Sequence, residues 1–275
     1  MIAHRATLDV PRELAQFLAR LLAAERRGRG TPKGSRALTC FWQAVLGLRW
    51  FRDRATPDAL ARDHGVSRAT AYRYLDEVIT VLAREAPELH EALERARDDG
   101  FTHVILDGTI IEADRCREPV ISVKGEVIDL WYSGKAHAHG GSIQAVLAPD
   151  GFPLWVSDAE PGSVHDITAA RLHALPALCH AAASGLPAPA DPGYEGAGIG
   201  IHIPVRQPPD GSELDISSRT YNALQRSLRC LGERGFALIA GRWRTLRHIS
   251  ASPSKITDIA RAALVLTHFE HGYIT

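Results

Sequence analysis

The chain has 275 residues, 45% of them hydrophobic, and its 32 Lys and Arg balance 32 Asp and Glu. That apolar content supports a sizeable core in one large or two ordinary domains, and the neutral sum excludes a simple basic coat for nucleic acid. No stretch approaches the roughly 18 apolar residues of a membrane span. MIAHRATLDVPRE lacks the apolar region of a secretory signal, and the four cysteines form no CxxC pair. These features predict a cytoplasmic protein without a disulfide framework or zinc knuckle.

Charge is uneven along the chain. Residues 1–54 carry eleven basic and four acidic side chains, residues 55–100 six and ten, and residues 219–247 seven arginines against Glu233 alone. Either basic stretch suits phosphate contact or a solvated helix face.

Taken in order, residues 11–27 have helical spacing, with Leu14, Phe17, Leu18, Leu21 and Leu22 on one face. GRGTPKGSR, residues 28–36, is a basic linker, and residues 38–51 form an apolar helix. Thr56-Pro57 caps a helix, His64-Gly65-Val66 turns, and Ser67 caps the next. A charged helix over 85–100 ends at Gly100. From residue 101 strand patterns take over: THVILD, EVIDLWY, SIQAVLAP and FPLWVSDAE. Pro149-Asp150-Gly151 turns a hairpin between AVLA and FPLWV. Residues 165–175 predict a helix, 185–200 a loop and 201–206 a strand. Ser217 or Ser218 caps a long helix to about Ile239, and a final helix follows Ser254. Helices first and a mixed sheet afterwards give an α+β or α/β chain: an all-α domain over 1–100 and a catalytic-sized domain over 101–275.

TPDALARDHGVSRATAYRYLDEV, within residues 56–80, has the form helix, glycine turn, helix. In a helix-turn-helix the second helix presents its first residues to the major groove, here Ser67, Arg68, Thr70 and Arg73. An ordinary helical hairpin has the same spacing of small residues.

Three acids stand out. In VILDGT an apolar strand drives into Asp107; in APADPGYEG a short apolar run precedes Asp191; Glu233 lies in an arginine-rich helix. Singly, each is a turn or surface acid. Together they could converge on divalent cations, since carboxylate oxygens suit Mg²⁺, and two ions about 3.5–4 Å apart hold both the attacking and the leaving oxygen of a phosphodiester.

On these residues the chain resembles the DDE-type transposases of bacterial insertion sequences, in the branch related to eukaryotic Harbinger-like elements. VILDGT, WYSGKAHAHG, PDGFPLWVSDAEPGSVHD, ADPGYEG and YNALQRSLRCLGERGFALIAGRWR carry the resemblance. It implies a helix-turn-helix domain followed by a ribonuclease H-like mixed-sheet domain. It also implies a catalytic triad of Asp107, Asp191 and Glu233 that binds two Mg²⁺ or Mn²⁺ ions. Arg229 matches an arginine of the family's C-terminal signature. Arg226 stands where a tyrosine is frequent and Ala240 where a lysine is frequent, so Arg242 or Arg244 is the expected substitute for that lysine. Asp166 also fits the pattern and is expected to cap its helix, with metal or water positioning as the lesser alternative. Lys135, in a basic loop beside the site, joins Arg229, Arg242 and Arg244 as an expected DNA contact.

The implied activity is cleavage at element ends followed by joining of 3′-hydroxyls to target DNA. The expected partners are double-stranded DNA and a second copy of the chain, on the nucleoid and not at a membrane. Two other functions stay open: a DNA-binding regulator that keeps the catalytic domain as a scaffold, and a metal-dependent endonuclease without strand transfer.

Overall fold

A computed structural model describes residues 7–114, 116–122 and 125–274. They form two compact units. One unit holds the chain up to Ala86, Arg242–Arg247, and the chain from Asp258 on; the other holds Pro87–Gly241 and His248–Thr257. The boundary expected near residue 100 thus falls between Ala86 and Pro87. No helix among the described residues is long and apolar enough to cross a membrane.

The helical unit contains α1 (Arg12–Gly28), α2 (Cys40–Asp53), α3 (Pro57–Asp63) and α4 (Arg68–Ala83). Its caps follow from the sequence: Thr39, Thr56 and Ser67 each accept a hydrogen bond from a first-turn amide of α2, α3 and α4. Gly65, at φ +64°, supplies the left-handed residue of the turn between α3 and α4. At Gly47 a Cβ would lie 2.6 Å from Val78 Cγ1, so a side chain there would collide where α2 meets α4. Buried Glu77 is compensated by Arg36 at 2.7 Å and by the Gln43 amide, also at 2.7 Å. Segments from far along the chain complete this unit. Phe17 stacks on Phe269 at 4.6 Å, and fully buried Trp243 donates to Thr267 and packs edge-on to Phe51.

The second unit opens with α5 (Leu89–Asp98), whose apolar face (Leu89, Ala92, Leu93, Ala96) is buried within this unit. Then come β1 (Ile105–Glu112), β2 (Pro119–Ile121), β3 (Val127–Asp129), β4 (Tyr132–Ser133), β5 (Ala138–Leu147), β6 (Pro153–Val156) and β7 (Glu160–Pro161). After them follow α6 (Asp166–His173), α7 (Leu175–Ala183), β8 (Ala188–Pro189), β9 (Ile201–His202), α8 (Ile216–Arg242) and α9 (Ile256–Glu270). α8 ends at Arg242, and α9 passes from this unit into the helical one.

β5 is the spine of the sheet. It pairs antiparallel with all of β1 and with β4, β6 and β7 along its length. On β1's other side the Val104 amide donates to Pro187 O at 3.0 Å, just before β8, and β8 pairs parallel with β9. β8 and β9 are thus a two-stranded sheet of their own, linked by that bond to the residue that precedes β1. The segment read as a loop over 185–200 holds β8, and α7 adds a helix beyond the one expected over 165–175. α8 is capped by Asp215, which accepts from the Ser218 amide at 3.0 Å, so the serines are not the cap.

α8 crosses the sheet over β1 and the β5–β6 hairpin. Gly232 and Gly235 allow this approach: a Cβ on Gly232 would lie 3.3 Å from Ile105 Cγ2, and one on Gly235 2.6 Å from Gly151 O. Gly151 answers from the hairpin turn. It has φ +86°, and a Cβ there would fall 2.1 Å from Leu231 O. Gly151→Ala should therefore lower stability by about 2 kcal/mol or more, because backbone strain and a clash with a fixed carbonyl add. Urea denaturation of the full chain measures this, and a neutral result would mean that α8 does not pack closely on the hairpin.

Candidate active site

Asp107 does not end its strand. It is the third residue of the eight in β1, opposite Ala145 of β5, and the strand continues through Gly108 to Glu112. The Asp-Gly pair is therefore no turn, and Glu112 lies on the same strand as Asp107. Residues two apart share a sheet face. Asp107 thus shares Ile105's face, the one crossed by α8, and a Cβ on Gly232 would stand 3.5 Å from Asp107 Oδ2.

Asp191 follows β8, the neighbour of β1. It caps the short 3₁₀ turn Pro192–Tyr194, with Oδ1 accepting from the Gly193 amide at 2.8 Å. The Asx-turn expected there coexists with a place beside Asp107. Burial pushes the Asp107 carboxyl up to about 6; the negative charges of Asp191 and Asp166 push the same way, while the Gly108 amide and Arg229 oppose. Asp107, Asp191, Asp166 and Arg229 thus share one electrostatic neighbourhood.

Asp166 departs from its expected role. His165 is the N-cap of α6, and no side chain caps that helix. The Asp166 carboxylate instead accepts from Lys135 Nζ at 2.8 Å. Lys135 is held protonated above its ordinary range, first by this bond and then by the charges of Asp166, Asp191 and Asp107. Beside this pair runs a groove of about 510 Å³ bordered by Gly108, Thr109, Lys135, Gly162, Ser163 and Asp166.

Sequence reasoning passed over two further side chains. Tyr194 is buried and donates to Gln144 Oε1 at 2.5 Å; burial, with the surrounding carboxylates, holds its phenol protonated far above the usual range. Gln144 is fully buried on β5 opposite Gly108. The sequence signal was an amide inside the apolar run SIQAVLA. Gly108 leaves room for both, since a Cβ there would lie 2.8 Å from Tyr194 Oη and 2.9 Å from Gln144 Nε2.

Glu233 is exposed on α8, one helical turn beyond Arg229. Arg242 is committed elsewhere: it binds Glu270 through Nε at 2.7 Å and through a terminal nitrogen at 2.6 Å, and Asp9 at 3.0 Å, all within the helical unit. Arg244 is exposed in a short 3₁₀ helix. On α4, the hydroxyls of Ser67 and Thr70 bond each other at 2.9 Å, and Arg73 donates to Thr70 at 3.1 Å. Arg68 pairs with Asp58 at 3.3 Å and lies 5.6 Å from the ring of exposed Tyr72, an aromatic that sequence reasoning did not single out.

These carboxylates offer the hard oxygen donors that Mg²⁺ or Mn²⁺ takes, and the Lys135 ammonium already occupies a cation's position on Asp166. The donor chemistry fits a divalent ion. Among the described residues, however, no three His, Cys, Asp or Glu side chains stand together as a finished ligand set.

The Asp107 shift has a signed consequence. Its folded value of about 6 lies above the ordinary 3.8, so the protonated form favours folding. That contribution is fully present below pH 3.8 and is lost as pH rises through about 6. In EDTA, Asp107→Asn should abolish this decline and leave the protein about 2–3 kcal/mol more stable than wild type near pH 7. Urea midpoints across this range test it, and parallel profiles for the two proteins would refute the shift.

Residues 106–268 match the family of DDE superfamily endonucleases, a span that begins one residue before Asp107 and takes in Asp166, Asp191, Arg229 and Glu233. Searches of curated proteins and of solved structures return no match. With more than half its length matched, the chain belongs to the DDE superfamily endonucleases, nucleases whose substrate is DNA.

Proposed function

We propose that this protein is a DNA transposase, which cuts phosphodiester bonds at the ends of its element and joins the freed 3′-hydroxyls to target DNA. The observation that carries the reading is Asp107, a carboxylate held in the middle of the central strand within the fields of Asp191 and Arg229. The antiparallel pairing of β1, β5 and β6 under α8, with the parallel β8-β9 pair close by, supports a ribonuclease H-like catalytic domain.

Both reactions are in-line displacements at phosphorus. When bound, two Mg²⁺ or Mn²⁺ ions would supply Lewis-acid stabilisation of the attacking and leaving oxygens. Asp107 and Asp191 would hold them, and Glu233, on the same side of α8 as Arg229, would complete the set. Arg229 offsets negative charge at the reacting phosphate, and Lys135 lines the groove in which the strand would lie. End recognition falls to α3 and α4 as a helix-turn-helix. Ser67 and Thr70 fix the start of α4 through their hydroxyls, leaving Arg68, Tyr72 and Arg73 to face the major groove. Joining two ends requires two active sites, so the working form on DNA is a dimer or larger assembly.

Two outcomes follow. Asp107→Asn should abolish Mg²⁺-dependent nicking of a duplex carrying the element's end while a gel shift with that duplex persists. Nicking at the wild-type rate would remove Asp107 from the chemistry. Arg68→Ala should weaken binding to that end about tenfold and blunt discrimination against unrelated duplexes; equal binding to both by wild type and variant would place recognition elsewhere.

A further inference from the structure

Of residues 191–200 only Tyr194 is buried; Pro192, Gly193, Glu195 and Gly196 around it are exposed. The loop that carries Asp191 therefore sinks one side chain into its unit. Asp191 is fastened to Tyr194 at short range, because the Tyr194 amide donates to Asp191 O at 3.1 Å and the Gly193 amide to Asp191 Oδ1 at 2.8 Å. The Tyr194 hydroxyl donates to Gln144 Oε1 at 2.5 Å and ends against β1, where a Cβ on Gly108 would lie 2.8 Å from it. Gln144 is a fixed anchor. It is fully buried in β5, opposite Gly108, the residue after Asp107. Ser157 holds its backbone twice: the Gln144 amide donates to Ser157 Oγ at 2.9 Å, and the Ser157 amide donates to Gln144 O at 2.8 Å. One buried hydrogen bond thus joins the loop of Asp191 to the strand pair that carries Asp107.

Stability does not explain that bond. Gln144 Nε2 is buried with no hydrogen-bond partner among the described residues, and a buried donor left without an acceptor destabilises a fold. A leucine facing a phenylalanine would fill similar space without that cost, since replacing both partners of a buried hydrogen bond by apolar groups is close to neutral or stabilising. What the amide adds is one acceptor aimed at Tyr194.

We propose that the Gln144–Tyr194 bond is a positioning strut of the cleavage centre, which holds the loop of Asp191 in place beside the strand of Asp107. The inference rests on the reading of Asp107 and Asp191 as acids of that centre. Gln144 and Tyr194 are positioning residues and act through Asp191. Without the strut the loop keeps its own turn but loses its one buried tie, so the Asp191 carboxylate samples a range of positions. Displacements of that kind cost rate steeply while leaving substrate binding intact.

The test uses the full-length protein and Tyr194→Phe, which deletes the hydroxyl alone. With saturating end duplex and Mg²⁺, this variant should nick about 10- to 100-fold more slowly, with KM and the gel shift as in wild type. In EDTA and without DNA, amide hydrogen exchange across 191–197 should quicken about tenfold, while exchange in β1 and β5 stays the same. The double variant Tyr194→Phe/Gln144→Leu separates positioning from folding. It should equal wild type in urea stability yet nick no faster than Tyr194→Phe, because both substitutions remove the same bond. If nicking recovers together with stability in the double variant, the bond serves only the fold and the inference is overturned. Wild-type nicking or unchanged exchange in Tyr194→Phe, with Asp107→Asn inactive, also overturns it and leaves the reading of Asp107 standing. If Asp107→Asn nicks as wild type does, that reading fails and takes the inference with it. Circular dichroism checks the fold of each variant. Should Tyr194→Phe not fold, the double variant, which leaves no buried polar group of the pair unanswered, decides by the same measures.

Discussion

A carboxylate in the middle of a central strand is hard to accommodate. The half-buried β1 pairs along its whole length with β5, and Asp107 on it has carboxylates for neighbours. Removing a negative charge from water and setting it near two others raises its free energy unless cations or amide donors answer it. Much of the surrounding structure consists of such answers. The Gly108 amide bonds Asp107 Oδ1 at 2.9 Å, Arg229 on α8 opposes the charge, and Lys135 reaches in from its loop to Asp166. The glycines at 108, 151, 232 and 235 let the other elements come close enough to supply them. A carboxyl pushed up by burial and by like charges is what is expected where a protein keeps a charge for use rather than for stability.

Local devices were legible in the sequence. Thr56 and Ser67 cap the helices they precede, and Pro149-Asp150-Gly151 turns the hairpin it should, because caps and tight turns are set by residues a few positions apart. The elements that escaped are short or depend on partners far along the chain. β8 and β9 are two residues each and exist through their pairing. β1 runs past Asp-Gly because β5 pairs with it to the end, a fact no pattern within VILDGTIIEAD contains. The helical unit is discontinuous, so a boundary drawn from composition could not find it.

The site was legible to the same degree. Asp107 and Asp191 were visible as acids after apolar runs. Asp166 looked like a helix cap because an Asp at a helix start usually is one; only the approach of Lys135, 31 positions earlier, gives it another partner. Gln144 and Tyr194 were invisible as a pair, being 50 positions apart. Arg242 looked available for DNA because nothing nearby in sequence claims it; Glu270 and Asp9 do so from a distance. Charge type can be read from sequence, but charge pairing cannot.

The composition of the helical unit bears on the order of events during synthesis. Its first four helices are made early, yet Trp243, Thr267 and Phe269, which close its core against Phe51 and Phe17, come after the whole sheet. The last residue of the sheet unit is Thr257. Growing from the ribosome, the chain can therefore finish the unit with the carboxylate cluster first, while the helices that precede it wait with an open apolar face. A product interrupted just after Thr257 would hold the whole sheet unit, with all three acids of the proposed triad, but an unfinished helical unit, so chain interruption separates the two units' maturation in time.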